Sequence, residues 1–215
     1  MKKIIFYILL ANTFLIINCY GSSTSTGYWL GTFTKKDLGT KNFSIWAETQ
    51  LRYSLSAGEM GQLLYRFGPL LKMEKYPVEL GLLYGFIQNN SSKEHRYTFQ
   101  LTTNHLFDKD KKISVRLRLE HRDRENVDEN SNRFRALIRF QQKLNKKYNL
   151  VIWNEAFLNF KSTSWAGKIT DRNRFFLGFN QFVANQKIEW GYLNQYVTNQ
   201  DTHQTQHLLI TYLPF

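Results

Sequence analysis

Between residues 48 and 189 the sequence places arginines and glutamates on alternate positions of successive segments. The set is Glu48, Arg52, Arg66, Glu79, Glu94, Arg96, Arg116, Arg118, Glu120, Arg122, Arg133, Arg135, Arg139, Glu155, Arg172, Arg174 and Glu189. A guanidinium pairs bidentately with a carboxylate through its planar fork, so this mixture suits a network of ion pairs held away from water. There an unpaired charge costs several kcal/mol and must find a partner. Eleven arginines meet only six glutamates, so the set carries surplus positive charge. Most lysines fall instead in the turn-like breaks between segments, where water is available.

Hydrolytic chemistry would need a serine, a histidine and an acid or amide within hydrogen-bond reach. Five histidines are present: His95, His121 and His207 within segments, His105 and His203 near breaks. Ser114, Ser162 and Ser164 are available, but none stands in a recognisable nucleophile context. There is no HExxH, no cysteine pair and no EF-hand loop, although Asp123, Asp128 and Glu129 lie close together in sequence. Asp128 and Glu129 read as a solvated loop, the alternative being a divalent ion bridging lipopolysaccharide phosphates. No catalytic residue, metal or cofactor is assigned.

The elements that must carry the charged set are strands. In Ile113-Ser-Val-Arg-Leu-Arg-Leu-Glu-His-Arg-Asp-Arg124 the charges of Arg116, Arg118, Glu120 and Arg122 alternate with Val115, Leu117 and Leu119. Successive strand side chains point to opposite faces, so the segment is ionic on one face and apolar on the other. The same alternation predicts strands near 28–36, 42–54, 61–72, 77–88, 93–106, 112–124, 132–143, 149–160, 171–183, 187–198 and 205–215. Nothing after residue 27 sustains helical periodicity, so the fold class is all-β.

A soluble sandwich would turn the ionic face outward; a membrane barrel turns it into the lumen. Three features favour the second. The strands run ~10 to 13 residues, near the length a tilted strand needs to cross a bilayer. Tight breaks such as KMEKYP and FDKDKK alternate with longer ones such as ENVDENSN and TSWAGKITD. Rings including Trp29, Tyr53, Tyr84, Tyr97, Trp190 and Tyr212 fall near strand ends, where membrane interfaces favour them. A barrel also explains why arginine outnumbers lysine on the ionic face.

The chain of 215 residues has a net charge of +12, but the charge is interleaved with hydrophobics and forms no basic tail, which argues against nucleic acid. Lys2 and Lys3, the apolar run Ile4 to Ile17 and the small residues after it have the order of a secretory signal. Residues 1–21 are read as this leader and 22–215 as one domain. An uncleaved anchor and a lipoprotein leader acylated at Cys19 are the alternatives. Removal of the leader leaves no cysteine in the mature chain.

Trp29-Leu30, AETQLR at 47–52, EHR at 94–96, RLRLEHR at 116–122, RFRALIRF at 133–140, NEAF at 154–157, DRNRFFLGF at 171–179, EWGYLNQY at 189–196 and His207 occur in order along the chain. On these motifs the mature chain resembles the DUF2490 family, assigned to the outer-membrane barrels. The resemblance implies a barrel and no established activity. The terminal Phe215 looks like the signal read by the barrel assembly machinery.

The expectation is a monomeric transmembrane antiparallel up-and-down barrel in the outer membrane of a Gram-negative bacterium, contacting lipid and lipopolysaccharide. Ten full strands are expected, with 28–36 an irregular piece at the mouth; a twelfth strand is the alternative. Because the acids are read as lying mostly away from the arginine-rich strands, ion pairs are expected to span the lumen. The function expected is a structural barrel or a narrow or closed pore. The alternatives are an enzyme modifying lipid or lipopolysaccharide, and a soluble periplasmic barrel binding an acidic ligand.

Overall fold

The computed structural model describes residues 23–39, 42–167, 169–183, 186–198 and 203–214; the leader and Phe215 lie outside these. The chain forms β1 (Ser23–Asp37), β2 (Phe43–Ser54), β3 (Glu59–Lys72), β4 (Val78–Asn89), β5 (Lys93–Asp108), β6 (Lys111–Arg124), β7 (Ser131–Lys143), β8 (Tyr148–Asn159), β9 (Thr170–Val183), β10 (Gln186–Thr198) and β11 (His203–Pro214). Each pairs antiparallel with the next, and β1 pairs in parallel with β11, which closes a barrel. The connections after β6 and β8 make one end the loop end. The opposite end, which carries the short connections after β5 and β9, is the turn end.

The strand count corrects the expectation of ten with an irregular piece, and the alternative of twelve. Eleven strands form, and β1 is a full one, with Trp29 opposite Arg52 on β2 and Ile210 on β11. Strand directions alternate around a barrel, so an odd number leaves one neighbouring pair running the same way. Two glycines let β1 lie close between its neighbours: a Cβ on Gly31 would stand 2.3 Å from the Tyr212 ring of β11, and one on Gly27 would stand 2.3 Å from the Tyr53 carbonyl oxygen of β2.

Burial follows the period-two pattern along the middle of most strands. Arg66 is 4% exposed and the adjacent Phe67 54%; Leu83 is 4% exposed and Leu82 63%. Charged side chains therefore pack inside while large apolar ones stand on the outer wall. Pro69 has no N–H to donate, and the β3–β4 ladder skips it and Gly68. Gly178 and Gly191 oppose each other on β9 and β10, leaving a notch over which the Phe176 ring lies. Phe176 stacks on Trp153 at 5.1 Å, within an interior apolar cluster that includes Trp29, Leu137, Val151, Leu193, Leu208 and Ile210. The interior is thus apolar along part of β7–β11 and ionic elsewhere.

The seam makes a direct prediction. Leu30→Cys and Thr211→Cys, paired in register at the β1–β11 seam, should cross-link on oxidation of the folded, leader-free protein. A barrel closed by β2 on β11 would leave both thiols free in a thiol-labelling assay.

Candidate functional site

The candidate site is the ionic interior. Glu94 on β5 accepts from Arg96 on the same strand at 2.5 Å and from Arg122 on β6 at 2.7 Å. Glu120 on β6 is shared by Arg133 and Arg135 of β7, both at 2.6 Å. Arg135 also reaches Glu155 on β8 at 2.7 Å, and Glu155 draws in Arg116 at 3.1 Å and Arg174 at 3.5 Å. Glu48 binds Arg66 at 2.8 Å. Arg139 chelates Glu189, and Glu79 pairs with Lys35, which sequence reasoning did not include.

Most of these links join adjacent strands, because Glu94, Glu120 and Glu155 lie on β5, β6 and β8, beside or between the arginine strands. This differs from the expectation that pairs cross the lumen. Two longer chords exist: Arg139 on β7 to Glu189 on β10, and Lys35 on β1 to Glu79 on β4. From Glu120 the bonds run on around the wall through Arg135, Glu155, Arg174, Gln195, Gln206 and Gln204 to Ser25.

The surplus arginine charge is met in two further ways. Amide oxygens take part of it: Arg118 donates to Gln100 at 2.7 Å, Arg174 to Gln195 at 2.6 Å, and Arg52 to Gln50 at 2.8 Å and to Gln62. Aromatic faces take more, since a ring presents its negative face to a cation. Arg52 and Arg174 lie 4.0 and 4.9 Å from the Trp29 ring centre. Phe157, 1% exposed, is surrounded by Arg135 at 4.6 Å, Arg174 at 4.7 Å, Arg133 at 5.1 Å and Arg172 at 5.8 Å. Sequence reasoning missed these rings. The available signal was parity: Phe157 stands two residues from Glu155 in NEAF and so shares its face.

The connection from β8 to β9 folds over part of the loop end. Asn159 donates to the Ala166 carbonyl at 2.7 Å, and the Trp165 indole donates to the Glu129 carbonyl at 2.7 Å while its ring covers Arg122 at 4.7 Å. The Glu129 carboxylate accepts from the Ser164 backbone N–H at 3.1 Å and hydroxyl at 3.3 Å, with Lys161 at 3.7 Å. The Ser164 N–H, more than the nearby Lys161, holds this carboxyl below its ordinary value.

The histidines lie on the outer wall. His95 shares a hydrogen bond with Tyr84 at 2.6 Å, His121 with Asn132 at 2.8 Å, His203 with Tyr196 at 2.9 Å and His207 with Tyr192 at 2.5 Å. The serines are engaged elsewhere: Ser114 with Asn104, Ser162 with the Gly167 carbonyl and Ser164 with Glu129. Among the described residues no group of three histidine, cysteine or acidic side chains could hold a metal ion.

A closed sheet with a packed ionic interior defines a porin-like β-barrel protein. The chain belongs to the family described as "Protein of unknown function (DUF2490)", whose model matches residues 26–206. No curated protein matches it significantly. A solved structure titled as the NanC porin in a rhombohedral crystal form is similar, with a TM-score of 0.50 and 12% sequence identity, covering 82% of this chain and 92% of that one. At that identity the likeness concerns the fold alone.

Two predictions test the network. Arg135→Gln should destabilise the folded protein by ~3–5 kcal/mol in urea unfolding, because it leaves Glu120 and Glu155 short of a buried partner. Arg118→Gln, whose side chain binds only an amide, should cost ~1 kcal/mol, so equal losses would contradict the assigned pairing. The second concerns pH. Because the folded Glu129 carboxyl is depressed below 4.5, its latch is fully held above that value and is lost as pH falls through the folded value. Trp165 fluorescence should change over that acidic window in the wild type and stay flat in Glu129→Gln.

Proposed function

We propose that this protein is exported through a cleaved leader and inserted in the outer membrane of a Gram-negative bacterium, as a monomeric barrel with a narrow or closed pore. The observation that carries the reading is the reversal of polarity across the wall. Phe67, Leu82, Tyr97, Phe99, Leu119, Leu177 and Leu209 stand 44–67% exposed on the outside. Inside, Glu120, Arg133 and Arg118 are at most 3% exposed. Soluble proteins rarely present apolar surface on such a scale, whereas lipid is the natural neighbour of this wall. The strands of 12 to 16 residues exceed the ~9–11 that a tilted strand needs to span the hydrocarbon.

The pore reading is supported by the filling of the interior. Barrels of about eight strands are filled by side chains, and eleven leave only a little more room. Here that room holds paired arginines and stacked aromatics, with the Arg139–Glu189 and Lys35–Glu79 chords near the turn end. The similar fold of a protein titled a porin supports reading this barrel as a pore. Phe215 would then serve recognition by the assembly machinery, and the outer wall would contact lipid and lipopolysaccharide.

Cell fractionation, gel mobility and planar-bilayer recording test the two halves. The protein should sediment with outer membranes, run faster unboiled than boiled, and conduct weakly with a preference for anions. Recovery in the soluble periplasm would sink the membrane reading. A large cation-selective current would sink the plugged, positively charged lumen.

A further inference from the structure

At the loop end, a cavity of about 230 Å³ opens into the interior between β1, β2 and β9–β11. Its lining includes Arg52, Arg172, Gln62, Asn89, Gln195 and Gln206. Among the described residues neither arginine holds a carboxylate in an ion pair. Arg52 is steered by the amide oxygens of Gln50 and Gln62 and by the Trp29 ring beneath it, which fix its direction without cancelling its charge. Arg172 touches the edge of the Phe157 cluster, and its buried Nε has no hydrogen-bond partner among the described residues.

The two guanidiniums line the same cavity. Elsewhere arginine pairs share a carboxylate: Arg133 and Arg135 share Glu120, and Arg96 and Arg122 share Glu94. At this mouth two arginines line one open cavity among amides and the Trp29 and Phe157 rings, with the buried Asp171 carboxylate preceding Arg172 in the chain and lying 4.0 Å from Arg133. Two like charges lining one confined site, neither in an ion pair, are costly, and an anion bound in the cavity would relieve the cost. The amides of Asn89, Gln195 and Gln206 already bond wall neighbours, which leaves the second N–H and the second lone pair of each for a ligand hydroxyl.

We propose that this vestibule is a binding site for a small organic dianion, a hydroxylated dicarboxylate or a phosphate monoester, with one negative charge or oxygen pair for each guanidinium. The charge count selects a dianion over a monoanion. The volume, below the ~300–1,000 Å³ of sites for drug-sized ligands, selects a molecule of few heavy atoms. Each guanidinium offers parallel N–H donors to such oxygens. The site rests on the barrel and its interior, and stands whether or not the barrel sits in a membrane.

Isothermal titration of the refolded, leader-free protein at low ionic strength tests it, with malate and glycerol phosphate as dianions, lactate as monoanion and glycerol as neutral control. At least one dianion should bind saturably and at least tenfold more tightly than lactate, with no heat from glycerol. Tighter binding of malate assigns the head to carboxylate, and tighter binding of glycerol phosphate assigns it to phosphate. Arg52→Gln and Arg172→Gln should each weaken binding at least tenfold, whereas Arg118→Gln, at an arginine outside the cavity, should leave it within twofold. Arg172→Lys, which keeps the charge, should bind more tightly than Arg172→Gln, and circular dichroism should show every variant folded. Lactate binding as well as the dianions, or Arg118→Gln weakening binding as much as Arg52→Gln, would overturn the site. Should a variant at one arginine fail to fold, the substitution at the other decides the matter. Soluble recovery with intact malate binding would end the membrane reading alone.

Discussion

The structure depends on one constraint: charges enclosed by a barrel wall cannot be left to water. Glu120, Glu94 and Glu155 each answer it by serving two or three arginines, so six glutamates go further than one-to-one pairing would allow. Arginine suits this role because its fork can hold two carboxylates at once, as Arg135 does between Glu120 and Glu155. A lysine in that position would offer a single charged point. The remaining positive charge goes to amide oxygens and to the faces of Trp29 and Phe157, groups that compensate a cation without adding a counter-charge.

This division of labour explains the asymmetric interior. Where arginines crowd, from β5 to β9, carboxylates and Phe157 sit among them. Within β8–β10, the notch formed by Gly178 and Gly191 makes space for Phe176, and Trp153 stacks on it. Apolar packing there needs no charge balance. The cap carrying Trp165 covers the loop-end edge of the ionic half by the same logic, laying a ring over Arg122 and binding the next loop through Glu129.

The strands were legible because alternation between arginine and leucine is a strong signal; β6 and β7 could be placed to within a residue or so from it alone. β1 was misjudged because Gly27 and Gly31 interrupt its interior face, and Thr32 to Asp37 holds only one apolar residue, Phe33. The charged set could be picked out by face, but its pairing could not, since register decides whether Arg135 meets Glu120 or Glu155. The buried aromatics were obscured where both faces of a strand are apolar, as in β8 and β9, and period-two contrast vanishes. Trp165 lay in a stretch with no periodicity, and its place over Arg122 follows from the three-dimensional path of the connection.

The parallel seam has a consequence for sidedness. A chain that traverses the wall an odd number of times finishes opposite to where it started: β1 begins beside the first residues of β11 at the loop end, and β11 finishes at the turn end. Groups attached ahead of β1 and behind β11 are therefore displayed on different faces of whatever layer the barrel occupies. An even-stranded barrel returns both to one face. This wall instead presents the start of β1 and the end of β11 at opposite rims.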